Sequence, residues 1–135
     1  MTRSEAREQA FILIFEKEFN SEYSLADIIE AAKDAELFEA DEFACKLSEK
    51  TLENIEVLDA KISENLKGGW KLSRISKVSL AILRLAVCEI LFFDDIPVSV
   101  SVNEAVELSK KYAADEDASF VNGLLSSVIR RENNE

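Results

Sequence analysis

The sequence predicts an all-α protein, a compact bundle of about seven helices forming a single domain over residues 1–135. Three observations carry this. Apolar side chains recur at three- and four-residue steps through nearly the whole chain, the period of helices with one buried face. Ser or Thr stands three residues ahead of Asp or Glu where several of these stripes begin, the pattern of a capping box. One proline and three glycines leave little room for long loops, and 47% apolar residues suffice for a core.

The elements follow in order. Thr2 with Glu5 opens a first helix whose apolar positions are Ala6, Ala10, Leu13 and then Phe11, Ile14, Phe15. Ser24 with Asp27 opens a second, with the stripe Leu25, Ile28, Ile29, Ala32. A third and longer helix is predicted from about Asp41; Phe43, Leu47, Ile55, Leu58, Ile62 and Leu66 form its apolar face, and Thr51 fills the step that lacks a large apolar group. Gly68-Gly69 stops it, because glycine takes the left-handed conformation that closes a helix at little cost, and helical pattern resumes near Trp70. From Val78 to Phe93, 13 of 16 residues are apolar, with Ser79, Arg84 and Glu89 the polar interruptions. A helix apolar on nearly all sides belongs at the centre of the bundle.

Asp94-Asp95-Ile96-Pro97 ends that helix, since proline disfavours helix in the residue before it and has no N–H to donate. Ser101 with Glu104 reads as another capping box, followed by a face of Val102, Ala105, Val106 and Ser109 that ends near Tyr112. Asp115, Glu116 and Asp117 suit a helix N-terminus, and the last stripe is Phe120, Val121, Leu124, Leu125, Val128. Gly123 inside it is unfavourable by about 1 kcal/mol against alanine, which predicts close approach of a neighbouring helix.

Composition narrows the function. No run approaches the roughly 18 uninterrupted apolar residues of a membrane span, and the polar start, Met1 to Glu8, does not resemble a secretion signal; the expected location is the cytoplasm. Cys45 and Cys88 lie in apolar helical contexts in a chain without histidine, so they read as buried thiols, and no metal or cofactor is expected. With no histidine to act as a base near neutral pH, no Gly-rich phosphate loop, and carboxylates that fall in solvent-facing patterns, no catalytic residue is expected and the protein reads as non-enzymatic.

A net charge of −11 argues against a stand-alone nucleic-acid binder. The charge is uneven, however. From Asn65 to Cys88 there is no acidic residue, whereas Lys67, Lys71, Arg74, Lys77 and Arg84 are basic; the rest of the chain holds 11 basic and 27 acidic side chains. A run of this kind is either a solvated helix face or a positive island that meets phosphate.

Three stretches together resemble the NusB family. The first is Arg3 through Phe15, an arginine-bearing opening followed by an Ala-rich apolar helix. The second is Trp70-Lys71-Leu72-Ser73-Arg74-Ile75, leading to Ala81-Ile82-Leu83-Arg84-Leu85-Ala86 and Glu89. The third is Ile96-Pro97, then Val102-Asn103-Glu104-Ala105-Val106-Glu107-Leu108 with Lys110-Lys111-Tyr112, closing on Phe120-Val121-Asn122-Gly123-Leu124-Leu125. The resemblance implies a fold of two packed helical subbundles. It also implies a transcription antitermination factor that binds single-stranded boxA-type RNA as a heterodimer with NusE, a ribosomal small-subunit protein, within the transcription elongation complex, in support of ribosomal RNA transcription. The family's opening usually carries several adjacent arginines; here Arg3 and Arg7 stand one turn apart with an acid between them.

RNA binding needs cations for phosphates and flat side chains for bases. Arg3, Arg7, Lys67, Lys71 and Lys111 are the candidates for the first task. By resemblance, Phe15 and Phe120 are candidates for the second, although both also sit on apolar stripes where an aromatic serves a core. Trp70 either stacks or anchors the start of its helix. Glu116 and Asn122 lie in or beside the loop that approaches RNA in the family. The partner surface is expected on the central and neighbouring helices, at Ser79, Arg84 and Glu89. Arg84 and Glu89 are separated by roughly 140° around a helix, so each needs another partner, within the fold or across an interface. The competing reading is a protein–protein module or homodimer whose RNA site is weakened or lost. A third is the NusB-like domain attached to some ribosomal RNA methyltransferases, against which the chain's ending just after its last helix argues.

Overall fold

The computed structural model describes residues 1–134, which hold seven α-helices, one 3-10 turn and no strand. They divide into two compact units, the first ending at Glu53 and the second starting at Asn54.

The first unit contains α1 (Arg3–Phe19), α2 (Leu25–Asp34) and α3 (Glu42–Glu53), with α1 packed on both others. Both capping boxes predicted here form. The Thr2 hydroxyl accepts from the Glu5 N–H at 3.0 Å while the Glu5 carboxylate accepts from the Thr2 N–H at 2.9 Å. Ser24 and Asp27 exchange the same pair of bonds at 3.1 and 3.3 Å. The core is built from Ala6, Ala10, Phe11, Leu13 and Ile14 of α1, Ile28 and Ala32 of α2, and Ala44 and Leu47 of α3. Gln9 fastens the approach to α3: its side-chain oxygen accepts from the Asp41 N–H at 2.9 Å, and its amide nitrogen donates to the Glu39 carbonyl at 3.3 Å.

The single long helix expected from Asp41 is two helices. The chain breaks at Asn54, which sits at φ −120° and ψ 22°, and α4 (Ile55–Glu64) starts afresh. Asparagine competes with helical backbone through its own side chain and is a weak helix former. The apolar stripe stays in step across the break, with Leu47, Thr51, Leu58 and Ile62 all buried, which is why periodicity does not reveal it. The Thr51 hydroxyl is satisfied by donating to the Leu47 carbonyl at 2.7 Å.

The second unit is α4, the 3-10 turn Leu72–Arg74, α5 (Lys77–Phe92), α6 (Val98–Tyr112) and α7 (Asp115–Asn133). As expected, α5 is central, touching α4, α6 and α7. Ile82, Leu83, Val87 and Cys88 are wholly buried on it, and each large side chain removed from water in this way contributes about 1.5–3 kcal/mol. Two polar ties hold its neighbours. The Arg84 guanidinium donates to both oxygens of Asp59 on α4, each at 2.8 Å. The Ser101 hydroxyl of α6 donates to the Glu89 carboxylate at 3.1 Å in a buried site.

Three local expectations are corrected here. Ser101 does not cap α6, which already begins after Pro97; its hydroxyl is spent on Glu89 inside the unit. Regular α-helix resumes at Lys77 rather than at Trp70, after a loop in which Gly68 and Gly69 take φ of 64° and 77°. No helix approaches Gly123: a Cβ built there meets nothing within 4 Å. The acidic opening of α7 does behave as predicted, with the Asp117 carboxylate accepting from the Ala114 N–H at 3.0 Å.

Candidate nucleic-acid interface

The predicted residues fall in both units. In the first, Arg3 and Arg7 lie on the α1 face that meets α3, where both guanidiniums lie over the Phe43 ring, at 4.0 and 5.5 Å from its centroid. Arg3 is exposed, but Arg7 is only 4% exposed, so the outer arginine alone presents its charge to solvent. Spacing puts Phe43 on the core stripe, and the structure leaves it half-buried beneath the two guanidiniums. Its pairing with Arg3 joins residues forty positions apart, which no local pattern shows. Phe15 is half-buried, with Phe11 stacked at 5.7 Å on one side and Phe19 edge-on at 5.0 Å on the other.

In the second unit the loop between α4 and α5 and one face of α7 enclose a cleft of about 660 Å3. Lys67, Trp70 and Arg74 line it from the loop side and Phe120 from α7. Trp70 is 60% exposed, so it does not anchor its helix by burial, and Phe120 is 36% exposed although its neighbours Val121 and Leu124 are buried. Lys71 lies across the indole on a second cleft, of about 590 Å3, which Gly68, Gly69 and Arg74 also border. Lys111, Glu116 and Asn122 are exposed outside both clefts, and the Lys111 ammonium sits 5.6 Å from the ring of its neighbour Tyr112.

The loop is tied down at its start. The Asn65 side-chain oxygen accepts from the Ser127 hydroxyl at 2.6 Å and from the Arg131 Nε at 3.1 Å, both on α7, and its amide donates to the Lys61 carbonyl at 2.8 Å. Nothing local in the sequence marks Asn65 for this tie, because its two partners on α7 are more than sixty positions away.

The residues expected at a partner surface occupy the interior of this unit. Ser79 and Glu89 are 1% and 2% exposed, and the side chain of Arg84 is 14% exposed in its fork with Asp59. The partners that Arg84 and Glu89 required are therefore found within the fold. Ser79 lines the floor of the first cleft, and its hydroxyl has no hydrogen-bond partner among the described residues.

A family model described as the NusB family matches residues 4–130. The chain belongs to the NusB family. It is 49% identical over 129 residues to the transcription antitermination protein NusB of Agathobacter rectalis, covering 93% of this chain and 98% of that protein. To the protein of the same name from Natranaerobius thermophilus it is 40% identical over 137 residues, covering 98% of each. Among solved structures, NusB of T. maritima superposes with a TM-score of 0.84 at 32% identity, covering 96% of this chain and 92% of that one. A chain from a crystal structure of the antitermination factors NusB and NusE in complex with dsRNA superposes with a TM-score of 0.83 at 26% identity, covering 97% and 99%. The NusB-family assignment agrees with the all-helical architecture described above.

Proposed function

We propose that this protein is a cytoplasmic, non-enzymatic transcription antitermination factor that binds RNA together with a NusE-like ribosomal small-subunit protein. The relatives' shared name and the solved assembly of NusB with NusE and RNA support this reading. The observation that carries it to this chain's own surface is the α4–α5 loop, where Lys67, Lys71 and Arg74 stand around an exposed Trp70 in a stretch without acids. Cations beside exposed flat rings are what a single strand with unstacked bases requires, whereas a duplex keeps its bases stacked and offers mainly phosphate and groove shape. We therefore assign boxA-type single-stranded RNA as the ligand, with Arg3, Lys67, Lys71 and Lys111 neutralising phosphate and Phe120 adding a ring. Glu116 and Asn122 are further candidates exposed on α7, and on α1 the candidates beside Arg3 are the buried Arg7 and the half-buried Phe15.

A net charge of −11 opposes RNA at long range. Binding alone is accordingly weak, and a basic partner strengthens it; a coupling of about 1–3 kcal/mol raises affinity roughly 5- to 150-fold. The partner docks on the outer faces of the helices that Arg84 and Glu89 hold in place from within. Titrating labelled single-stranded boxA-type RNA and its duplex, with and without NusE, tests the reading. Tighter binding of the single strand in the presence of NusE is expected. Absence of RNA binding in both conditions sinks it. That outcome favours a protein-only module or homodimer, a reading to which the burial of Arg7 also lends weight.

A further inference from the structure

We propose that the cleft between the α4–α5 loop and α7 receives one unstacked nucleobase of the bound RNA, with the Trp70 indole as the surface on which it stacks. The inference rests on the RNA-binding reading above and specifies where one base goes. A tryptophan left 60% exposed, bordering open clefts, presents ring surface that the fold does not use. The cleft's volume, about 660 Å3, falls within the roughly 300–1,000 Å3 of small-ligand sites and accommodates a base with its ribose. Lys67 and Arg74 line the same opening, placed for the phosphates that flank an extruded base, and Asp117 is its one acidic lining residue among the described residues.

Two further features match a base better than an apolar protein side chain. At the floor, Ser79 is nine-tenths buried and more, yet its hydroxyl lacks a partner among the described residues. That oxygen has almost no accessible surface of its own, so a base completes the bond with a polar edge atom by displacing the lining above it, and an aliphatic side chain has no such edge. On the α7 side, Gly123 lines the cleft without a side chain, and space stays open where a Cβ would stand. The Asn65 bonds to Ser127 and Arg131 hold the start of the loop to α7, so the two walls of the cleft are set before RNA arrives. Stacking of one base on an aromatic ring corresponds to about 5- to 150-fold in affinity.

Trp70 is the chain's single tryptophan, so its emission reports on the site directly. The experiment titrates single-stranded boxA-type RNA into the protein with a tryptophan-free NusE-like partner, following Trp70 emission and the anisotropy of end-labelled RNA together. Quenching that saturates with the anisotropy change is expected, and an abasic residue at one RNA position, and only there, abolishes it. Trp70→Leu weakens binding about 5- to 150-fold, whereas Trp70→Phe retains most of it. Ser79→Ala folds normally and loses discrimination between bases at that same position. RNA that binds by anisotropy without altering Trp70 emission, and binds Trp70→Leu as tightly as the parent, overturns the base site and leaves the RNA-binding function standing. A full change of emission on adding partner without RNA assigns the cleft to a protein side chain and equally overturns it. No anisotropy change at low salt removes the RNA-binding reading, and the base site with it.

Discussion

Leu83 is wholly buried on α5, the helix that α4, α6 and α7 all contact. Leu83→Ala is expected to destabilise the protein by about 2–5 kcal/mol, the transfer term plus the cavity left behind. A reversible denaturant titration measures it, and a loss under about 0.5 kcal/mol would take this side chain out of the core. At the opposite extreme of exposure, Glu5 receives the backbone N–H of Thr2 and then the threonine side chain, which together hold its carboxyl below the ordinary 4.5. The folded protein therefore releases this proton more readily than the unfolded chain. Its contribution to stability is whole above pH 4.5 and fades as the pH falls through the lower folded value. Glu5→Gln keeps the cap's geometry and removes the charge. The variant's melting temperature should therefore fall less steeply than the parent's between about pH 5 and pH 2; superimposable pH profiles would discard the assignment. Cys88 is buried as its sequence context predicts, but Cys45 is only half-buried, because its position on α3 is not wholly covered; its thiol is pushed up by partial burial and then by Glu49 and Asp41.

At the scale of elements, helices announce themselves locally and their connections do not. Both boxes on α1 and α2 and the acidic start of α7 were legible because each rests on residues within one turn of each other, and the centrality of α5 because it rests on one continuous apolar stretch. The break at Asn54 was hidden because the stripe from Leu47 to Ile62 keeps its period on both sides. Ser101 with Glu104 has the spacing of a cap and none of its geometry, since what decided its hydroxyl was Glu89, twelve residues back on another helix. The same limit applies to the site: the cations and rings were visible, but that Lys67, Trp70 and Phe120 share one cleft depends on how the loop packs against α7. Gly68-Gly69 was readable as a stop, and both residues do take left-handed φ. Replacing Gly69 by alanine meets no neighbouring atom, so only backbone strain opposes it, about 1–2 kcal/mol. Thermal melts of Gly68→Ala and Gly69→Ala measure this, and unchanged melting would mean the loop relaxes to another conformation.

For the whole molecule, the proposed function asks an acidic protein to hold an acidic ligand. Its basic island must act at short range, because opposite-signed surroundings are screened beyond about 8 Å at physiological salt. With partner present, log affinity for single-stranded RNA should fall with log salt, and each phosphate-contacting cation removed should flatten the slope by about 0.7. Lys67→Gln and Lys71→Gln test this in parallel with Lys77→Gln, which lines neither cleft and should leave the slope nearly unchanged. Equal slopes in all three would move the RNA elsewhere. We also propose that both units fold as one domain. Helix content by circular dichroism and Trp70 emission should then follow one denaturant transition, and two separated midpoints would divide the chain into two domains.

Gly123 sets heat tolerance against aperture. It weakens α7 by about 1 kcal/mol relative to alanine, and no packing constraint requires it, since a methyl group there meets nothing. What a methyl group would occupy is part of the open cleft that Gly123 lines. A lineage adapting to higher temperature has an inexpensive stabilising step available at this position, and taking it narrows the opening. With a base held in the cleft as proposed, thermal adaptation and ligand grip are coupled through a single hydrogen atom where a side chain would be.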